Sequence, residues 1–442
     1  MKIPEKAPNW SEMYKKKQGE LIETTRTHAQ LIAKANAEYI YWDKFKYLSL
    51  PQNTTPEEAW AALKLSRILR EVKFLPFQDE GGEIFSYWIP DSAQRALHFL
   101  DQNAAGQILV DEPALQSEER QRYILKSIME EAITSSQLEG AATTRVVAKE
   151  MLRSGRKPRD HAERMIYNNY ITITKIRDHL DEDLTPELLL TFHRFISQNT
   201  LESPAQEGRF RLEEDGDIRV YDEKGQVLHT PPTPAKINKS IERLCDFANQ
   251  EDSEEFIHPV IRGILLHFWL AYLHPFADGN GRTARAVFYW YMLKRKYWLF
   301  EFLSISRVIR KAAVQYYRSF LYTEIDGGDV TYFIMFHLRA IRLAIDELKI
   351  YLTRRQKESR DAIQFLKKQP YLNHRQRSLV ISALDRPDRI FSFKTHMAIH
   401  GVVYQTARAD LIGLHELGLL EMHKSGRQFS FTAVPDLNEK LT

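Results

Sequence analysis

Two oily stretches, residues 264–273 and 286–303, constrain this chain more than any other feature, because twelve largely polar residues join them. The first is about half the ~20 residues a bilayer requires, and Lys294-Arg295-Lys296 interrupts the second, so both read as buried helices. A polar connector between two such helices is held at the mouth of a rigid core. The rest of the sequence agrees with a mainly α protein. Gly and Pro number only 18 each in 442 residues, fewer than average usage would give, which argues against a turn-rich sandwich or propeller. The length suggests two or three domains.

Charge excludes little here. The 62 basic and 59 acidic side chains leave a net charge of +3, so the whole chain favours neither nucleic acid nor a membrane as partner. The single cysteine, Cys245, excludes an intramolecular disulfide framework and a zinc site built on several thiolates. Residues 1–20 are polar and Lys-rich without an apolar signal-peptide core, and the expected compartment is the cytoplasm.

Helix-start signals recur, as in Thr55-Pro56-Glu57-Glu58 and Thr185-Pro186-Glu187. Before residue 400 the only convincing strands are 218–221 and 226–229, around the turn Asp222-Glu223-Lys224-Gly225. Residues 1–115 read as a helical, aromatic-rich region. Its Tyr39-Ile40-Tyr41-Trp42 cluster is expected to pack inward, with a docking surface as the alternative. Residues 116–350 read as one helical domain interrupted by the hairpin, and 351–370 as a charged linker helix. Residues 371–442 have the pattern of a winged helix-turn-helix: helices at 375–384, 393–399 and 404–414, then strands at 419–422 and 429–432 around Lys424-Ser425-Gly426-Arg427. Gln405, Arg408, His415, Lys424 and Arg427 are candidates for contacting DNA. Asp410, Glu416 and Glu421 among them weaken phosphate attraction, so protein docking or dimerisation is favoured over DNA.

The connector itself, residues 274–285, reads His-Pro-Phe-Ala-Asp-Gly-Asn-Gly-Arg-Thr-Ala-Arg. Gly279 and Gly281 let backbone N–H groups converge on an anion without a Cβ in the way. The next helix starts at about residues 280–282 and aims its free N–H groups at the same point. Arg282 and Arg285, three apart, share a helix face and can grip one polyphosphate. Asp278 adds a hard oxygen ligand, and one carboxylate plus substrate phosphates is the usual way a protein holds Mg²⁺. His274 suits a general base for a hydroxyl. These residues point to Mg²⁺-assisted attack of a hydroxyl on a bound nucleotide phosphate.

The connector resembles the Fic-domain signature at every specified position, and Fic proteins are mostly adenylyltransferases that move AMP from ATP onto Ser, Thr or Tyr hydroxyls of proteins. The resemblance implies a helical Fic domain with a β-hairpin flap. It implies His274 as base, Phe276 as anchor and Asp278 as Mg²⁺ ligand. Gly279, Asn280 and Gly281 would form the anion cradle, with Asn280 beside the α-phosphate, and Thr283 and Ala284 continue the nucleotide-binding run. Arg282 would hold the β-phosphate and Arg285 the γ-phosphate, while Tyr316-Tyr317 resembles the family's adenine-pocket tyrosines. Ser135-Ser136-Gln137-Leu138-Glu139-Gly140 is similar to the family's inhibitory pattern, although Ser136-x-x-Glu139 also fits a capping box. On that resemblance an inhibitory helix at about 121–140 sets Glu139 against Arg285, with Ser135 one turn earlier on the same face. The hairpin at 217–230 resembles the flap that holds the target segment as an added strand. A homodimer is expected from the family alone. The alternatives are removal of AMP, transfer of another phosphate-containing group, and a DNA-binding regulator acting through residues 371–442.

Overall fold

The computed structural model describes residues 2–50, 54–70, 72–105, 117–222, 224–250, 255–368, 371–385, 389–425 and 428–441. The chain is mainly α, with three two-stranded antiparallel sheets among the described residues. It divides into two compact units, Met1–Ile345 and Asp346–Thr442. No helix among the described residues is long and apolar enough to cross a membrane.

The first unit is built on the two oily segments. The pre-motif helix, Pro259–Leu273, begins with proline at its first position and with His258 Nδ1 accepting from the Val260 N–H. The motif helix, Asn280–Lys294, is buried over nearly its whole length. At Gly263 the neighbouring side chains come so near that a Cβ would lie 2.9 Å from Met292 Sδ. The helix Pro186–Ser197 turns Leu189, Phe192, His193 and Ile196 inward and is capped by Thr185, whose hydroxyl accepts from the Leu188 N–H.

The aromatic cluster packs inward. Tyr39, Tyr41 and Trp42 are buried, Tyr41 stacks on Tyr322 at 4.5 Å, and Arg67 lies over the Tyr39 ring at 4.0 Å. Strand prediction was incomplete, because a second hairpin pairs Lys73–Gln78 with Ile84–Tyr87. Pro76 and the brevity of the second strand hide it, although Phe77 and Phe85 alternate correctly toward the core. Phe77 stacks on Trp269 of the pre-motif helix at 4.5 Å, so this N-terminal element is part of the core. The flap hairpin is shorter than expected and pairs only Val220–Tyr221 with Val227–His229. Asp222 Oδ1 accepts from the N–H groups of Lys224 and Gln226 to shape its turn, of which Glu223 lies outside the described residues.

The second unit contains the helices His374–Asp385, Phe393–His400 and Tyr404–Glu416, then an antiparallel hairpin, Leu420–Ser425 with Gln428–Ala433. Phe391 joins Phe431 as a single bridge, and both rings enter a core with Leu379, Leu411 and Leu414. Gln405 and Arg408 are exposed on the third helix, while Gly426 and Arg427 lie outside the described residues. His415 Nδ1 is 3.0 Å from the Leu420 carbonyl, an internal contact. Asp410 is a correction to the surface-charge argument. It is buried at 3% exposure, where it accepts from Asn373 and Arg375 and faces His396 Nε2 at 3.0 Å.

These partners, working against burial, hold the Asp410 carboxyl at about 2. A carboxylate lowered on folding contributes stability that is complete above its unfolded value and is lost as pH falls through the folded one. The second unit therefore loosens between about pH 4 and pH 2. Asp410→Ala should cost it about 3 kcal/mol at neutral pH by stranding Arg375 and His396. Hydrogen exchange at the Leu411 and Phe431 amides of the full chain measures this, and unchanged protection would contradict it.

Candidate active site

The pre-motif helix ends at His274, whose backbone is left-handed with φ of 48°. A non-glycine residue there stores strain of about 1–3 kcal/mol, held only because the surroundings over-determine it. The ring Nδ1 lies 2.8 Å from the Ala271 carbonyl, which can only accept. Nδ1 therefore carries the proton, and Nε2 presents its lone pair. Burial lowers the His274 pKa to about 4, opposed by the bond to Ala271, so the ring is neutral across the physiological range.

The loop is closed by side chains. Asn280 accepts from the Phe276 N–H through Oδ1 and donates to the Phe276 carbonyl through Nδ2, both at 2.9 Å. Its amide thus locks the loop, and its backbone N–H remains at the helix start. Phe276 is fully buried and stacks on His193 at 3.8 Å. His193 is a residue that sequence reasoning missed. Its Nδ1 accepts from the Gly208 N–H and its Nε2 donates to the Asp278 carbonyl at 2.9 Å, joining the loop to the segment before the flap. Burial lowers its pKa to about 4, which keeps it a neutral spacer. The only available signal was its place on the apolar face between Leu189 and Ile196. Arg211, also missed as a site residue, donates to the His274 carbonyl at 2.7 Å and to the Pro232 carbonyl.

At the helix start, Gly279 has φ of 84°, a conformation suited to glycine. The N-terminal N–H groups and the helix dipole favour an anion there. Arg282 is fully buried, and its Nε has no hydrogen-bond partner among the described residues. Its guanidinium otherwise donates to Asp278 Oδ2 at 3.3 Å and to the Ile196 carbonyl at 3.4 Å, and burial lowers its pKa. The Asp278 side chain is 55% exposed, and its Oδ1 accepts from the Gly279 N–H. Thr283 and Ala284 point their side chains into the protein, with Thr283 bonding its own helix at the Gly279 carbonyl.

Arg285 is buried and committed. Its Nε donates to Ser135 Oγ at 2.7 Å, and one terminal nitrogen donates to the Ser135 carbonyl and to Glu139 Oε1 at 2.8 Å. Burial pulls its pKa down, but Glu139 carries it above the ordinary value. Glu139 stands one residue beyond the helix Ser117–Leu138, before Gly140, which has φ of 92°. It also occupies the space of the cradle, since a Cβ on Gly281 would lie 2.1 Å from its Oε1. Tyr316 is buried at 4% exposure with its hydroxyl 3.1 Å from His267 Nε2, and Tyr317 is half-buried. His274, Asp278, Arg282, Arg285, Ser135 and Glu139 are thus joined through the loop and the helices that meet there, and Tyr316 approaches Arg285 and Glu139 from among aromatic rings.

Residues 183–292 match the model of the Fic/DOC family. A protein adenylyltransferase Fic of Nematostella vectensis is 28% identical over 174 residues, 38% of this chain and 38% of that protein. Protein adenylyltransferase fic-1 of Caenorhabditis elegans is 29% identical over 180 residues, 39% of this chain and 32% of that protein. The chain spans well under half the length of these relatives. A Fic family protein from Desulfovibrio desulfuricans shares the fold with a TM-score of 0.53 at 19% identity, over 81% of this chain and 99% of that one. A portion of Fic-1 from C. elegans matches with a TM-score of 0.50 at 18% identity, over 76% of this chain and 88% of that one.

The steric conflict at Gly281 predicts a thermodynamic cycle. Gly281→Ala should cost about 1–3 kcal/mol through overpacking against Glu139. In a Glu139→Gly background the same change should be neutral or stabilising, because alanine is the better helix former by about 1 kcal/mol. Thermal denaturation of the four proteins reads the cycle, and equal losses in both backgrounds would place the conflict elsewhere.

Loop, helix pair and family match coincide within residues 183–292, the stretch that is similar to the Fic/DOC family.

Proposed function

We propose that the chain is a protein adenylyltransferase that moves AMP from ATP to a Ser, Thr or Tyr hydroxyl of a target protein, restrained by its own Glu139. One observation carries the reading: the proton of His274 is committed to the Ala271 carbonyl, leaving Nε2 as a base beside a helix start that holds two buried arginines. The relatives named adenylyltransferases support the choice of AMP.

His274 Nε2 takes the proton of the target hydroxyl as its oxygen attacks the α-phosphorus. The bond from that phosphorus to the α,β-bridging oxygen breaks, and pyrophosphate leaves with the electron pair. The products are an AMP ester on the target and an imidazolium at His274, which returns its proton to water. The helix N–H groups receive charge developing on the transferred phosphate, and Arg282 and Arg285 hold the departing phosphates. The orphaned Nε of Arg282 is a buried donor that a phosphate oxygen would satisfy. The residues also fit Mg²⁺ arriving with the nucleotide. Asp278 is a half-exposed carboxylate, and no group of three potential ligands among the described residues would hold an ion alone. When bound, Mg²⁺ supplies neutralisation of phosphate charge, with Asp278 as its protein ligand.

Glu139 competes for the same charges. While its carboxylate pairs with Arg285 and fills the space over Gly281, the terminal phosphate loses its guanidinium and ATP settles out of line for attack. The flap offers its edge to the target segment as an added strand, with Arg211 fixing its base to His274.

His274→Ala should lower transfer by about 10²–10⁴-fold while ATP binding persists, and retained labelling of protein by radioactive ATP would remove the base assignment. The neutral ring is the active form and the His274 pKa stands at about 4, so activity should be lost as pH falls through about 4, not 6.5. An acid limb near 6.5 would contradict the lowered pKa of His274. Glu139→Gly should raise auto-modification by roughly tenfold or more, the scale of a charge-assisted contact of about 1.5–3 kcal/mol ceasing to compete. Equal labelling of both proteins would take Glu139 out of the inhibitory role.

A further inference from the structure

Among the described residues, the helix Ile305–Lys311 begins without a cap of its own. Ser304 stands at its N-cap position, where a serine hydroxyl ordinarily accepts from the helix N–H groups, yet its side chain makes no such bond. The Ser304 hydroxyl donates instead to Glu131 Oε2 at 3.0 Å, on the helix Ser117–Leu138. The same oxygen accepts from the Ser306 N–H at 3.0 Å, and Oε1 accepts from the Ser306 hydroxyl. Glu131 thus caps a helix to which it does not belong.

The capped segment is itself tied to the motif helix. Tyr289 donates to the Leu303 carbonyl at 3.1 Å and accepts from the Ile305 N–H at 2.9 Å. Ser127, one turn before Glu131, donates to the Phe302 carbonyl at 2.7 Å, and the Thr134 hydroxyl lies 3.3 Å from that of Ser304. Glu131, Ser306 and Tyr289 are all buried. Apolar packing is incomplete at this point, because Ile124, Ile128 and Glu131 line a small cavity with Ile173 and Leu293. Polar contacts therefore carry part of the docking. Ser135 lies one turn beyond Glu131, and Glu139 stands just past the helix end, so the rotation fixed at Glu131 is the one that Arg285 meets.

We propose, on the reading of Glu139 as the inhibitory group, that Glu131 is a positioning residue of the restraint. By capping the helix Ile305–Lys311 it fastens the helix Ser117–Leu138 to the core and sets Ser135 and Glu139 on Arg285. Loss of the cap leaves the buried Ser306 N–H without its acceptor only while the two helices stay docked, so the docked state alone is weakened. The restraint thus has a second control point, away from the nucleotide.

The test combines auto-modification and hydrogen exchange on the full chain. Glu131→Ala should raise auto-modification by about fivefold or more, toward the level of Glu139→Gly. It should also lower protection of the amides of residues 132–138 while the motif helix stays protected. Glu131→Gln should stay near wild type, because its amide oxygen can accept from Ser304 and the Ser306 N–H while its amide nitrogen donates to Ser306 Oγ. In a Glu139→Gly background, Glu131→Ala should add less than about twofold, since both changes act on one restraint. Ser306→Ala removes one donor with little loss of volume, should move both readouts in the same direction, and serves if Glu131→Ala does not fold. Intact protection of residues 132–138 in these variants would overturn the proposal, as would an equal rise in labelling with Glu139 already removed, or Glu131→Gln as active as Glu131→Ala. Exchange needs no catalysis. Lost protection with labelling unchanged in every variant, Glu139→Gly included, would sink the inhibitory reading and leave the fastening standing.

Discussion

Two guanidinium groups buried at the start of an oily helix are the constraint to which the rest of the site responds. Arg282 is fully buried and Arg285 nearly so, and charges so placed are costly unless they are paired and hydrogen-bonded. The protein answers Arg282 incompletely, with long contacts to Asp278 and the Ile196 carbonyl and an unpaired Nε. It answers Arg285 completely, with Ser135 and Glu139. On the proposed reading, the incomplete answer leaves a place for phosphate, and the complete one competes with it.

Glu139 stands at the end of a ladder. Ser127, Glu131, Ser135 and Glu139 are spaced by four, so they share one face of their helix. Ser127 donates to the Phe302 carbonyl at 2.7 Å, and Glu131 accepts from Ser304 Oγ and from the Ser306 N–H and hydroxyl. Burial raises the Glu131 pKa against those bonds. Each rung fixes the rotation of the helix, and the last two meet Arg285. The rungs within the helix set the rotation that brings Glu139, just past the helix end, to Arg285.

Much of this was legible in sequence. The apolar segments, the glycine-bearing connector and the capped helices are local patterns, and the structure reproduces them. The flap turn was visible as well, although its strands pair over fewer residues than their alternation suggested. Contacts between distant residues were not legible. Pro76 concealed the N-terminal hairpin that stacks on Trp269, and Asp410 looked like a surface charge on an amphipathic helix. His193 and Arg211 carry no motif, because each acts through backbone carbonyls that no residue type announces.

By itself the sequence determined the helical class, the glycine-bearing loop between two apolar helices and the charged groups placed beside it, because helix periodicity and glycine freedom are local properties. Tertiary structure alone decided which of those groups are free. It spent the Asn280 side chain on closing the loop and buried Tyr316 beside His267. It also brought Glu139 across 146 residues to Arg285. Hydrogen bonds and buried charges must be satisfied wherever the packed core places them, and that placement is set by the whole fold.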